Sequence, residues 1–292
     1  MFSREPTEQT ARHSPNGARA AAPRFAVRSE QNGREENEDS FHLFALAPAT
    51  GEPPVTFLSV ADGMGGHEHG AEVSSESLKK ISLALFEELV VIPSLNSLEA
   101  FPPFGRGAAR TFTPENVGHK LLSALDQANA HVRRMVKQEG WSKAGSTVVV
   151  AAVNGREVTV ANLGDSPLFH FRAAEGRLVQ VTEDHTVAGV LMRAGVITPE
   201  MARVHEGRSR LEFFLGVETL PRDEPVRHFL AEAGDLLLLC SDGISGALTR
   251  EQIESVLRET NGDLEEAAER LVTSAQGVGE TDNQTLILWQ LP

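Results

Sequence analysis

Asp62 stands at the end of an apolar run, Phe57-Leu58-Ser59-Val60-Ala61, and Gly63 follows it. The arrangement returns at Leu236-Leu237-Leu238-Leu239-Cys240-Ser241-Asp242-Gly243 and, with the glycine first, at Val158-Thr159-Val160-Ala161-Asn162-Leu163-Gly164-Asp165-Ser166. Acidic clusters also adjoin apolar runs at Asn37-Glu38-Asp39 and at Asp282-Asn283. A carboxylate beside a core is costly unless something positive meets it. Several of them at strand ends, far apart in the chain, point to convergence on hard divalent cations bound through oxygen. Glycine beside the carboxylate allows close backbone approach, so that a carbonyl can join the donor set. One Asp-Gly pair would be ordinary turn chemistry; its repetition along the chain is what favours a multinuclear magnesium or manganese site.

The elements that must carry these residues are readable from periodicity. Short β patterns lie at about 24–29, 40–46 and 55–61, and a helical stripe of Leu78, Ile81, Leu85 and Leu89 spans about 70–90. Residues 92–113, rich in proline and glycine, read as a long loop. A second helix over 114–139 starts at Thr113-Pro114, a cap followed by a proline at the first helical position. Strands at about 146–153, 157–163, 167–172 and 177–181 are separated by Asn154-Gly155 and Glu175-Gly176, pairs suited to tight hairpins. Two short helices follow within 185–205, then strands at 225–231 and 235–241, helices at 249–259 and 263–276, and a last strand at 284–290. Thr249-Arg250-Glu251-Gln252 has the form of a capping box. Hairpin runs with helices inserted in pairs predict antiparallel sheets covered by helices and exclude a doubly wound parallel sheet. The first and last strands both adjoin acidic clusters and are expected to be neighbours in one sheet.

The 292 residues carry a net charge of −14. That charge argues against nucleic acid as a partner, because phosphate contacts need clustered lysine and arginine. No apolar run approaches the ~20 residues of a membrane span, and no signal-peptide pattern opens the chain. The single Cys240, inside an apolar strand, excludes an internal disulfide framework and reads as a small core residue. These features predict a cytoplasmic, membrane-free monomer. Residues 1–22 lack apolar periodicity and read as a flexible arm preceding one domain over 23–292.

The strings Arg34-Glu35-Glu36-Asn37-Glu38-Asp39, Asp62-Gly63-Met64-Gly65-Gly66-His67, Gly145-Ser146-Thr147, Gly164-Asp165-Ser166, Thr182-Glu183-Asp184-His185, Ser241-Asp242-Gly243 and Asp282-Asn283 occur in this order. Each is weak alone. Together, over about 24–290, the chain resembles the metal-dependent serine/threonine protein phosphatases of the type-2C class in their bacterial, stand-alone form. The resemblance implies an α+β fold: a four-layer α-β-β-α sandwich of two antiparallel sheets flanked by helices, with the metals at one end.

It also implies roles. Asp62 matches the carboxylate bridging two ions, and Gly63 the residue whose carbonyl binds the second ion. Glu38 matches an outer ligand of that ion, and Asp242 and Asp282 match ligands of the first. Asp165, with Asp242, matches the ligands of a third ion. Asp39 and Asn283 match residues behind the ligands, and Arg34 matches the guanidinium that grips the substrate phosphate. Such a guanidinium suits bidentate recognition of a tetrahedral oxyanion; the alternative for Arg34 is a surface ion pair with nearby glutamates. Two cations ~3.5–4 Å apart can activate a water for in-line attack on phosphorus, with no covalent enzyme intermediate. The expected substrate is a phosphorylated protein, and the expected biological counterpart is a bacterial Ser/Thr kinase.

His67, five residues after Asp62, is the candidate general acid; animal members carry a histidine where Met64 stands. It could instead only shape the site. His67-Glu68-His69 does not place both rings on one helical face and is not read as a zinc motif. Pro167 occupies a position where the family commonly has arginine, which bears on local packing more than on chemistry. Residues 186–218 match a flap beside the active site, and 92–113 is either a partner-binding insertion or a neutral expansion. A pseudophosphatase that only binds partners, or a phosphatase of small phosphoesters, are the competing readings. Removal of residues 1–22 is expected to leave turnover of a small aryl phosphate unchanged in steady-state assays; a large loss from a folded protein would contradict the reading of that segment as an accessory arm.

Overall fold

The computed structural model describes residues 24–47, 53–64, 69–92, 112–141, 144–221 and 226–292. Two antiparallel sheets pack face to face. One has the order β1 (Arg24–Glu30), β11 (Gln284–Gln290), β10 (Leu236–Cys240), β7 (Leu168–Arg172), β8 (Arg177–Gln180). The other runs β2 (Asp39–Leu46), β3 (Val55–Met64), β5 (Val148–Asn154), β6 (Glu157–Leu163), β9 (Val226–Leu230), with the short β4 (Gly145–Ser146) on the end of β3. The first and last strands pair along their whole length, Arg24 opposite Gln290 and Glu30 opposite Gln284, as expected from the sequence.

The central strands are apolar on both faces because both faces are covered. Leu237 and Leu239 of β10, Ile287 and Trp289 of β11, and Val149, Ala151 and Val153 of β5 fill the space between the sheets. The alternate residues face helices. Val148, Val150 and Ala152 meet α1 (Gly70–Phe86) and α2 (Pro114–Glu139). Leu236, Leu238 and Cys240 meet α6 (Arg250–Glu259) and α7 (Leu264–Gly277). Strands of this kind read as continuous apolar runs, which is the usual signature of burial on both sides. The result is the expected α-β-β-α sandwich. Burial pushes the Cys240 thiol well above its ordinary range, so it stays a neutral core group.

Local signals hold where they were read. Thr113 accepts from the Asn116 N–H and Pro114 opens α2, while Gly140 closes it with φ of 71°. Thr249 and Gln252 complete a reciprocal capping box on α6. The 186–218 segment begins with α3 (Val187–Arg193) and α4 (Pro199–Val204), capped by Thr186 and Thr198. Two features differ from the sequence reading. The third strand runs on through Asp62-Gly63-Met64, because β4 supplies a partner for its end. α1 passes into a π-turn at Glu87–Val91, which brings Glu88 into contact with Lys120, Ser123 and Gln127 of α2. Residues 1–22, His67 and most of the 92–113 loop lie outside the described residues.

No helix among the described residues is long and apolar enough to cross a membrane. Leu237 is fully buried between the sheets. Leu237→Ala should therefore cost about 2–5 kcal/mol in chemical denaturation, through lost transfer energy and the cavity left behind.

Candidate metal centre

Asp39 opens β2 and Asp62 lies near the end of β3, directly opposite each other in the ladder. Like charges facing across two strands are unfavourable, so this pairing has no structural rationale of its own. The backbone of Asp62 is gripped from several sides. Its N–H donates to Thr147 Oγ1 (3.0 Å), and its carbonyl accepts from the Thr147 N–H (2.8 Å) and from Ser146 Oγ (3.0 Å). Thr147 Oγ1 is also 2.6 Å from Ser166 Oγ. Gly164, with φ of 100°, lies against Thr147, where a Cβ would stand 2.7 Å from the threonine side chain. The Gly145-Ser146-Thr147 and Gly164-Asp165-Ser166 strings thus act as a mount for Asp62, and they bring Asp165 to the same end.

Gly63 lies against Gly70 at the start of α1. A Cβ on Gly63 would overlap the Gly70 carbonyl oxygen, and one on Gly70 would overlap the Glu38 carboxylate. Gly63 N–H donates to the Glu38 carbonyl at 3.1 Å. The Glu38 carboxylate accepts from the Gly70 N–H, although burial is the larger influence and lifts its pKa. Only glycines allow this approach of loop, strand and helix.

Asp242 follows β10 and opens the short helix α5 (Asp242–Ser245), and Asp282 precedes β11. Asn283 clamps the 31–38 loop to that strand: its Nδ2 donates to the carbonyls of Gln31 (2.8 Å) and Glu36 (3.0 Å), and its Oδ1 accepts from the Glu38 N–H (2.9 Å). The loop carries Arg34, whose Nη2 reaches Asp282 Oδ2 at 2.6 Å. The guanidinium is half exposed, and its partner is this prospective ligand, not one of the neighbouring glutamates.

Asp62, Asp165 and Asp242 keep partial solvent access while protein surrounds most of each carboxyl. Burial raises all three pKa values, with mutual repulsion adding to it: Asp62 is affected by Asp242, Asp39, Asp165 and Asp282, and Asp165 by Asp242 and Asp184. For Asp242, a hydrogen bond from Asp62 works in the opposite direction, against the larger effect of burial. Asp39 is pushed up to about 7, chiefly by burial and against the Ser241 hydroxyl, which donates to its Oδ2 at 2.7 Å. Asp39 Oδ1 is buried with no hydrogen-bond partner.

The structure thus gathers Asp39, Asp62, Asp165, Asp242 and Asp282 in one electrostatic neighbourhood, with Glu38, Gly63 and Arg34 at its rim. Among the described residues, no three acidic or histidine side chains stand close enough as placed to enclose an ion; mutual repulsion opposes tighter approach. The set still fits hard cations. It is all oxygen, it holds an orphaned buried acceptor, and among the described residues its charge is unmatched apart from Arg34. Zinc would favour nitrogen or sulfur donors. Ser74, which donates to the Glu38 carbonyl at 2.6 Å, and Thr285, which donates its N–H to Ser241 Oγ at 3.0 Å, escaped sequence reasoning. Hydroxyls at strand ends are too common to signal such roles.

A model of the family described as Protein phosphatase 2C matches residues 28–276. The serine/threonine protein phosphatase PstP of Mycobacterium tuberculosis is 30% identical over 266 residues, 91% of this chain. The chain spans only 44% of the length of that relative. The serine/threonine phosphatase stp of Listeria monocytogenes is 29% identical over 257 residues, covering 87% of this chain and 90% of its own length. Among solved structures, the catalytic domain of PstP in complex with two manganese ions superposes with a TM-score of 0.66 at 29% identity, covering 92% of this chain and 97% of that one.

Raised carboxylate pKa values make the ion-free protein pH-sensitive in a definite direction. Asp39 binds a proton up to about pH 7 when folded and only to about 3.8 otherwise. Its contribution is therefore fully present below the lower value and is lost as pH rises through the upper one. In chelator, the melting temperature should fall between about pH 4 and 7. Asp39→Asn should flatten that fall and stabilise the protein at pH 8 by on the order of 2 kcal/mol, read by thermal melts of both proteins across the range.

Proposed function

The chain belongs to the protein phosphatase 2C family, and on that premise we propose that it is a protein phosphatase hydrolysing phosphoserine and phosphothreonine monoesters with Mn2+ or Mg2+. The observation that carries this reading is the convergence of aspartates from four separate segments, each raised in pKa by burial and by the others, at one end of the sandwich. Such a set is costly to the fold unless cations meet it.

Asp62, Asp242, Asp282 and Glu38, with the Gly63 carbonyl, would hold two ions, and Asp165 with Asp242 a third. Two ions supply neutralisation of the phosphoryl oxygens and a water ionised near neutral pH. The residues of the chain do the remaining work. Arg34 orients the phosphoryl group through paired N–H donors and stays charged throughout, since its hydrogen bond with Asp282 raises an already high pKa. Asp39, fixed by Ser241, offers its free Oδ1 to waters of the site. His67 delivers a proton to the departing seryl or threonyl oxygen; in sequence it lies between Met64 at the end of β3 and Gly70 at the Glu38 contact.

The substrate is a phosphorylated protein, and the natural counterpart is a Ser/Thr kinase or its targets. We place the protein in the cytoplasm as a monomer, with residues 23–292 as the catalytic domain, 1–22 as an accessory arm and 186–218 as the flap. The lone buried Cys240 and the net charge of −14 suit that setting and disfavour nucleic acid.

The reading is tested by phosphate release from a phosphothreonine peptide with Mn2+, with chelator, and with Asp62→Asn and Asp242→Asn. Release should require Mn2+ and fall by at least ~100-fold in either variant, whereas a folded wild type inactive with every divalent ion would contradict it and favour a partner-binding role. Arg34→Ala should raise KM more than it lowers kcat; an equal fall in kcat and kcat/KM would assign Arg34 to the transition state instead.

A further inference from the structure

The flap carries a surface that the proposed chemistry does not use. α4 buries none of its side chains; Met201 is 52% and Val204 80% exposed. Arg203, on the same helix, donates Nη2 to the Leu248 carbonyl at 3.1 Å. That contact ties the flap to the turn just before α6, where Arg250 is the first residue. Both arginines are exposed, and neither has a carboxylate within ion-pair distance among the described residues.

Other exposed arginines, Arg208 and Arg210 among them, also lack a carboxylate partner among the described residues; Arg203 and Arg250 are set apart by the contact that places Arg203 against the segment carrying Arg250. Arg193 and Arg227 are paired to Glu183, and Arg258 to Glu254. The charges of Arg203 and Arg250 instead converge on Asp184 and Glu251 from a distance. Asp184 in turn repels Asp165, which repels or is repelled by Asp242. Leu248 lies three residues beyond the Asp242 helix, and the flap sets out from His185, whose N–H donates to the Gly164 carbonyl at 2.9 Å next to Asp165, so the two guanidinium groups belong to the Asp165 and Asp242 side of the carboxylate cluster, a basic step on the rim of an acidic site. A guanidinium with unused donors beside exposed aliphatic surface suits an anionic side chain on an extended peptide.

We propose that Arg203 and Arg250, with the exposed face of α4, bind a second anionic side chain of the substrate polypeptide, a carboxylate or a second phosphoryl group flanking the phosphoresidue being hydrolysed. The inference rests on the phosphatase reading and narrows it to substrates with acidic or multiply phosphorylated neighbourhoods.

The test uses the full chain with Mn2+ and a set of phosphothreonine peptides. One peptide has neutral flanks; the others carry a glutamate or a second phosphothreonine moved along the flanking positions. At one or more positions the anionic peptides should have kcat/KM about three- to tenfold above the neutral peptide, mainly through KM, as expected for two exposed charge pairs. Phosphothreonine should exceed glutamate if the bidentate phosphate contact forms. The preference should vanish near 1 M salt, where the screening length is about 3 Å. Arg203→Gln/Arg250→Gln should abolish it while leaving the neutral peptide and a small aryl phosphate unchanged. No preference at any position, or a preference that survives in the double variant, would overturn the proposal. So would a double variant that changes only the oligomeric state by sedimentation, since the patch would then serve a second copy of the chain. If no peptide is hydrolysed at all, the phosphatase reading fails separately, and anisotropy of the same labelled peptides still decides whether the two arginines select anionic flanks.

Discussion

Repulsion among carboxylates is the constraint on which this molecule turns. Asp39 and Asp62 face each other across one ladder, and Asp242 and Asp282 approach from the strands of the other sheet. Nothing in the described residues neutralises them except Arg34. The aliphatic interior between the sheets, Leu58, Val60, Leu237, Leu239 and Ile287 among them, is what holds the two sheets in register and so holds these charges together. The stability of the sandwich is spent in part on keeping a site that would otherwise disperse.

The mount around the acids is built from small and hydroxylated residues. Thr147 takes over a ladder bond with its side chain, Ser241 spans the gap between sheets to reach Asp39, and Gly63 and Gly70 let a loop, a strand and a helix meet. Asn283 does the same for the Arg34 loop through three backbone contacts. The proposed hydrolysis would depend on such rigidity, because donors placed in advance gain most where water is excluded and charge develops.

Much of this was legible in the chain. The strands and helices followed from periodicity, caps and tight turns, each encoded within a few residues. The acids were legible because aspartate-glycine at the end of an apolar run has little other reason to recur. What escaped notice was encoded by distance. Arg34 and Asp282 are 248 positions apart, and Ser241 and Asp39 are 202 apart. No local pattern links such residues. The π-turn at 87–91 and the run of β3 through Met64 are tertiary outcomes, set by α2 and β4 and not by their own residues. His67, the arm before Arg24 and the 93–111 stretch fall outside the described residues, so their expected roles stand on sequence and chemistry.

The central claim is that the repelling carboxylates exist to hold divalent cations. A crystal structure of the protein grown with Mn2+, read by anomalous scattering, tests this most directly. The account predicts at least two manganese peaks bounded by Asp62, Asp242, Asp282, Glu38 and the Gly63 carbonyl, with Arg34 released from Asp282. Peaks elsewhere, or none at this end of the sandwich with the Arg34–Asp282 pair intact, would contradict it.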